Sequence, residues 1–256
     1  MVAEGLLDMF EPISLAEMKQ VRLMNRVDEK YLLNRTRLDS LLRRIGKAYY
    51  VQRIDGEALA DYHTLYYDTA GLAMYTVHHN RKLKRQKLRV RRYRSNNLTY
   101  FEVKDKNNKG KTHKTRIEIA AADFYQSLQL PAVRNFIAEK SSYPIDSLMP
   151  QLENRFTRIT LVDKGMHERV TIDSGIRFHN FQSERDYDLS PLVIMEVKRE
   201  AGADKTPIDH ALTELRIHPR RMSKYCIGTV LTNPKAKYNR FKDKIRYINE
   251  LATADF

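Results

Sequence analysis

The sequence predicts an α+β fold: an antiparallel, roughly eight-stranded β-tunnel (barrel) with a basic lumen and helices packed on its outside. Three observations lead there. Successive segments alternate polar and apolar side chains with the two-residue period of a strand. Short helical patterns separate them. On strand after strand the polar side is cationic, most clearly in Gln86-Lys-Leu-Arg-Val-Arg-Arg-Tyr-Arg94, where Lys87, Arg89, Arg91 and Tyr93 share one side and Leu88 and Val90 the other.

Taken in order, residues 1–21 read as a lead-in, with Ser14-Leu-Ala-Glu17 at capping-box spacing. Arg26-Val-Asp-Glu-Lys-Tyr-Leu-Leu33 is a strand with Arg26, Asp28 and Lys30 on one side. Thr36 is the expected cap of a helix over 37–45, whose buried stripe is Leu38, Leu41, Leu42 and Ile45. Aromatic and β-branched residues make strands of 49–54 and 62–68, and 71–79 is helical. Strands 101–106 and 114–119 flank a polar turn, Asn107-Asn-Lys-Gly-Lys111. The 122–149 segment is helical in pattern and closes with Pro144 and Pro150. Strands follow at 156–162 and 168–173, the second continuing past a bend at Gly175, and 192–198 is the most apolar strand. Pro207 opens a helix to about Ile217, and 222–232 is apolar and helix-like. Tyr238, Phe241, Ile245 and Ile248 mark a basic amphipathic helix over 235–250 that caps one tunnel end. No linker or repeat divides the chain, so 1–256 is expected to form one domain.

An excess of 46 Lys and Arg over 32 Asp and Glu gives a net charge of +14. That charge implies an anionic partner: nucleic acid, a membrane surface or a phosphorylated ligand. The single cysteine, Cys226, excludes an internal disulfide and fits a reducing compartment. Without a basic leader or an apolar run near about 18 residues, the chain reads as cytoplasmic. The eight histidines lack the spacing of a metal site.

Parity carries the functional argument. One side of the strands holds Arg26, Asp28 and Lys30, then Lys87, Arg89 and Arg91, then Glu102 and Lys104, Arg116 and Glu118, Arg158, Arg169 and Asp173, and Glu196 and Lys198. The other side holds Val27, Leu88, Val90, Phe101, Val103, Ile117, Ile159, Leu161, Val170, Ile172, Met195 and Val197. Cations two apart on a strand sit about 6.8 Å from one another, a repulsion of roughly 2–2.5 kcal/mol at an effective dielectric near 20. Either the charged side faces water, which screens it, or it lines a lumen that a polyanion neutralises. The helices offer enough apolar surface to cover the other side, which favours the lumen.

Acids recur beside the bases: Asp28 with Lys30, Glu102 with Lys104, Glu118 with Arg116, Glu196 with Lys198. A nucleic-acid patch is mostly Lys and Arg with exposed aromatics, so this mixture argues against nucleic acid. Carboxylates with phosphate oxygens hold Mg2+ or Mn2+. The same acids also serve as ion-pair partners for the arginines. Both roles stand for Asp28, Glu102 and Glu118, whereas a ligand role is favoured for Glu196 in its otherwise apolar strand.

Arg26-x-Asp28-x-Lys30-Tyr31 resembles the first-strand motif of the triphosphate tunnel metalloenzyme (CYTH-like) superfamily, and more closely its polyphosphate polymerase (VTC) domain branch. Leu88-Arg-Val-Arg91, Phe101-Glu-Val-Lys104, Phe156-Thr-Arg158, Arg169-Val-Thr-Ile-Asp173, Met195-Glu-Val-Lys198 and Ser223-Lys224-Tyr225 are similar to that family's later motifs, in its order. The resemblance implies a β-tunnel that binds a nucleoside triphosphate and threads a polyphosphate chain. It implies phosphate contacts from Lys30, Arg89, Arg91, Lys104, Arg158, Arg169 and Lys224, with Arg26, Lys87, Arg116, Lys198, Arg221 and Ser223 as further candidates. Glu196 would hold Mn2+ or Mg2+, with Asp28, Glu102 and Glu118 as other candidate ligands. Asp28 stands where the superfamily usually has Glu, and Phe156 where a Tyr is frequent.

The implied activity is metal-dependent transfer of the γ-phosphate of ATP to inorganic polyphosphate or pyrophosphate. The alternatives are a triphosphatase on the same fold and a non-catalytic polyphosphate or nucleic-acid binding module. A membrane protein that receives the product would have to be a separate chain.

Overall fold

The computed structural model describes residues 4–20 and 26–253. The lead-in packs more firmly than its sequence suggests. It forms α1 (Glu4–Leu7) and a short strand, β1 (Glu11–Ile13), and buries Leu6, Leu7 and Phe10. The capping box closes: the Glu17 backbone N–H donates to the Ser14 hydroxyl at 3.2 Å, and the Ser14 N–H donates to the Glu17 carboxylate at 2.8 Å.

Next come β2 (Arg26–Leu33) and α2 (Arg35–Ile45), whose stripe Leu38, Leu41, Leu42 and Ile45 is buried. The cap of α2 is Asn34 rather than Thr36, with its side chain accepting from the Arg37 N–H at 3.0 Å. Asn caps at least as well as Thr and lengthens the helix by about half a turn. β3 (Tyr49–Gln52), β4 (Ala60–Thr69), α3 (Ala73–His79), β5 (Arg85–Tyr93), β6 (Leu98–Lys106) and β7 (Thr112–Ile119) follow.

Between 122 and 149 only α4 (Pro131–Lys140) is an α-helix, flanked by short 3-10 turns. β8 (Leu148–Asp163) starts well before Phe156. Its early part hides from pattern reading because Gln151, Leu152, Glu153 and Asn154 are all buried, leaving no alternation. β9 (Glu168–Asn180), β10 (Arg185–Asp188) and β11 (Val193–Glu200) complete the strands, with Gly175 at φ +61° inside β9. The helices α5 (Pro207–Glu214), α6 (Lys224–Thr232) and α7 (Lys242–Thr253) end the chain. The final helix thus lies later than 235–250. Phe241 and Ile248 are buried, while Tyr238 stays 49 % exposed.

One antiparallel path of eight strands runs β2-β11-β9-β8-β4-β5-β6-β7, and β1, β3 and β10 extend the sheet to eleven strands. The α+β class with a large antiparallel sheet is as expected, but two details differ. The sheet has eleven strands, and among the described residues its end strands β2 and β7 are not hydrogen-bonded to each other, so the barrel is not closed.

Helices also cover both sides. On the apolar side, α2 and α5 pack on β2, β8, β9 and β11, and α4 packs on β4, β5 and β6. Leu88 and Val90 are buried there, against Val133, Phe136 and Ile137. On the charged side, α3, α6 and α7 join Leu32, Tyr66, Phe156 and Ile194 in a core of their own. A Cβ on Gly228 would lie 2.5 Å from Phe178 and 2.6 Å from Leu152, so only glycine lets α6 sit this close to β8 and β9. No helix among the described residues is long and apolar enough to cross a membrane.

Candidate functional site

Strand register sets the predicted residues in rows. Tyr66, Arg89, Glu102 and Arg116 face one another across β4, β5, β6 and β7. Beside them run Thr64, Arg91, Tyr100 and Glu118, and then Lys87, Lys104 and Lys114. The Arg89 Nε donates to Glu102 at 2.7 Å, and the Lys114 Nζ lies 3.2 Å from the same, fully buried carboxylate. Burial would raise the Glu102 carboxyl; Arg89, Arg91 and Lys114 outweigh it and hold it far below the usual range. Glu102 therefore takes the ion-pair role.

Among the described residues Arg91 makes no ion pair with a carboxylate. Its Nε donates to the Thr64 hydroxyl at 3.1 Å, and its guanidinium lies 5.6 Å from the Tyr62 ring and 5.9 Å from Phe156. Burial and Arg89 lower its pKa. Lys104 is pushed well below its ordinary value by Arg89, burial and Arg91. The Lys87 Nζ donates to the Ser223 hydroxyl at 2.8 Å, which also caps α6. Tyr66 reports the resulting field: burial would raise its phenol, but Arg89, Arg91, Lys87 and Lys224 together lower it.

The β2–β11–β9–β8 half is built differently. Both Lys30 and Lys198 donate to Glu196. Arg158 grips Asp173 with two bonds, at 2.6 and 2.8 Å, and Lys224 donates to the same carboxylate. Burial brings Lys198 down to about 8 despite Glu196. Arg169 stands opposite Lys198 in register, and so does the exposed Asp28. Arg116 stacks over the Tyr100 ring at 4.1 Å, and the Tyr100 hydroxyl bonds the exposed Glu118. Arg221 is exposed, near Arg85 and Lys106. The Arg26 side chain lies outside the described residues.

Arg89, Arg91, Lys87 and Lys224 thus meet around Tyr66, and Arg158 joins them through the rings of Tyr62 and Phe156. Lys30, Glu196 and Lys198 form a neighbouring group. Glu118 and Arg116 sit out on the edge strand. Asp173 as an anchor, Thr64, Tyr66 and the pair Asp68–Tyr225 also belong to the site, and the sequence alone does not single them out. Buried Asp68 accepts from the N–H groups of Met74 and Tyr75 at 2.9 Å and from the Tyr225 hydroxyl, which ties α3 and α6 to β4. Tyr62, Thr64 and Tyr66 share one parity, so alternation could have placed them; no local signal links Asp68 to Tyr225.

Among the described residues no three His, Cys, Asp or Glu side chains converge as metal ligands. Each of Glu196, Glu102 and Asp173 is instead met by two cations. One carboxylate suits Mg2+ or Mn2+ when phosphate oxygens supply the remaining ligands, and Glu196 could take that place only as phosphate draws Lys30 and Lys198 away from its two oxygens.

The VTC domain family pattern matches residues 25–233. No curated protein matches the chain. Among solved structures, a protein of Hippeastrum described as an adenylyl cyclase with a dominant triphosphatase activity aligns at 13 % identity and TM-score 0.52, over 82 % of this chain and 97 % of its own. A Bacillus halodurans protein named as an adenylate cyclase aligns at 14 % identity and TM-score 0.47, over 78 % and 94 %. The PH1819 protein of Pyrococcus horikoshii aligns at 13 % identity and TM-score 0.46, over 80 % and 98 %. The first of these shares the fold, that of the CYTH-like triphosphate tunnel proteins.

Proposed function

Because the chain belongs to the VTC-domain family, we propose that it is a metal-dependent polyphosphate polymerase, transferring the γ-phosphate of ATP to a growing inorganic polyphosphate chain. The observation that carries the reading is the convergence of Lys87, Arg89, Arg91 and Lys224 on one buried point at Tyr66, with Arg158 alongside. Such a cluster suits a ligand with several adjacent negative charges.

In this reading a terminal phosphate oxygen of the chain bonds to the γ-phosphorus of ATP. The bond from that phosphorus to the β–γ bridging oxygen breaks, and ADP leaves with the electron pair. Lys30, Arg89, Arg91, Lys104, Arg158, Arg169 and Lys224 hold the phosphates in line, and the Ser223 hydroxyl and Lys87 meet them at the start of α6. Mn2+ or Mg2+, held by Glu196, would neutralise charge on the phosphate oxygens. No covalent enzyme intermediate is needed.

Incubation with ATP and Mn2+, with products separated on a gel, tests the proposal. A ladder of chain lengths is expected. Free phosphate or diphosphate alone would convert the reading to a triphosphatase, and unchanged ATP would sink both. Arg91→Ala is the cleanest variant, since Arg89→Ala would also take from the buried Glu102 its buried partner and leave it only Lys114.

A further inference from the structure

We propose that the charged side continues outward into a track for a linear polyphosphate chain, along a rim formed by Arg81, Arg85, Lys106, Arg220, Arg221 and Lys244. The inference rests on the phosphate-binding reading of the inner cluster and extends it to a second, external site.

Arg85 and Lys106 face each other in register at the outer ends of β5 and β6, two residues beyond the facing pair Lys87 and Lys104 on the same side of the sheet. Arg81 follows α3, Arg220 and Arg221 precede α6, and Lys244 lies in the first turn of α7. These separate elements meet in space. Besides burial, Arg221 lowers the pKa of Arg85, Lys106 and Lys244, and Arg81 and Arg220 also act on Lys244. His78 beside them, held down to about 2 by burial and then by Lys87, Arg85, Lys244 and Lys106, stays neutral and adds no charge.

Among the described residues none of the six forms an ion pair with a carboxylate, unlike Lys30, Lys198, Arg158 and Lys224 further in. Exposure falls in steps along the rim. Arg81, Arg220 and Arg221 are exposed, Arg85, Lys106 and Lys244 are half-buried, and Lys87 reaches Ser223 at the helix start. A row of uncompensated cations leading inward fits a flexible polyanion with one charge per repeating unit.

The rim's rings favour polyphosphate over nucleic acid. Arg220 covers the Tyr247 ring at 3.6 Å, and Lys244 lies 5.7 Å from the Phe241 centroid. Arg220 thus occupies one ring face on which a base would stack, and buried Phe241 offers none.

The test is the double variant Arg81→Glu/Lys244→Glu, in which neither residue belongs to the inner cluster. Wild type and variant are titrated calorimetrically with tripolyphosphate, with polyphosphate of about 60 units, and with an RNA oligomer of matched charge. The variant is expected to bind the long chain about tenfold more weakly and with a shallower salt dependence, while its tripolyphosphate affinity stays within about twofold. The unchanged tripolyphosphate affinity also reports an intact fold. If the charge reversals unfold the chain, Arg81→Gln/Lys244→Gln, which introduces no anion, gives the same comparison.

A long-chain affinity unmoved by either variant overturns the track and leaves the proposed function standing. A wild type that takes the long chain but not tripolyphosphate, with the variant losing the former, upholds the track and sinks the inner phosphate site. Tighter binding of the RNA at equal salt overturns polyphosphate as the occupant.

Discussion

The two halves of the charged side carry the same kinds of residue in opposite states of compensation. On β2, β11, β9 and β8, Lys30 and Lys198 share Glu196, and Arg158 and Lys224 share Asp173. On β5, β6 and β7, Glu102 serves Arg89 and Lys114, while Lys87, Arg91 and Lys104 make no ion pair with a carboxylate among the described residues. Like charges about 6–7 Å apart repel by roughly 2–3 kcal/mol at an effective dielectric near 20. The first half is therefore a braced wall, its cations fixed before any ligand arrives. The second half stores repulsion that an incoming anion relieves, so it should supply more of the binding free energy.

The largest break in this contrast should come from Asp173→Asn. Asp173 is 3 % exposed, and without its charge Arg158 and Lys224 face each other uncompensated. A loss of about 3–5 kcal/mol is expected in chemical denaturation. A loss under about 1 kcal/mol would mean that the braced wall does not depend on its carboxylates.

Glu153 supplies a control on the opposite side of the sheet, facing Leu65 across β4 and β8. Its carboxylate accepts from Tyr125 at 2.8 Å and Arg155 at 2.5 Å, with the His63 ring nitrogen 3.0 Å away. Burial would raise its pKa, but these neighbours bring it from 4.5 to about 2. A depressed folded-state value means stability that is complete above the unfolded value and lost as the pH falls from about 5 toward 2. Over that range wild type should lose roughly 1–3 kcal/mol more than Glu153→Gln, measured by urea denaturation at a series of pH values. Parallel curves would show that the Glu153 cluster contributes nothing.

Sequence parity placed the charged rows correctly because strand alternation is a local property, visible at Lys87, Arg89 and Arg91 without knowing the fold. It failed where burial covers both faces, as at Gln151–Asn154, and where a helix seats on the charged side. α6 shows why: its apolar run Tyr225-Cys-Ile-Gly228 announces a buried helix but not which side of the sheet it occupies. Only the approach at Gly228 decides that. Pairing is likewise non-local. Glu196 and Lys198 are two residues apart, so their contact could be suspected, whereas Asp173 meets Lys224 across 51 residues of chain. The acids were legible as belonging to the charged side, but whether each braces a cation or waits for a metal depends on neighbours that local spacing does not specify.

The smallest expected effect is the most discriminating. Lys104 is crowded by Arg89, burial and Arg91, and it faces Lys87 and Lys114 on the adjoining strands. Lys104→Met keeps most of the side-chain volume and removes one uncompensated charge. In phosphate-free buffer it should gain about 1 kcal/mol of stability, with tripolyphosphate binding about tenfold weaker. Lys30→Met on the braced wall should lose stability instead, because Glu196 then keeps only Lys198. Adding saturating tripolyphosphate during the denaturation experiment should raise wild type more than Lys104→Met and so reverse their order, since a tenfold difference in affinity is then worth about 1.4 kcal/mol. If Lys104→Met were destabilised without phosphate, the repulsion attributed to the β5–β6–β7 half would be absent and the two halves would not differ in kind.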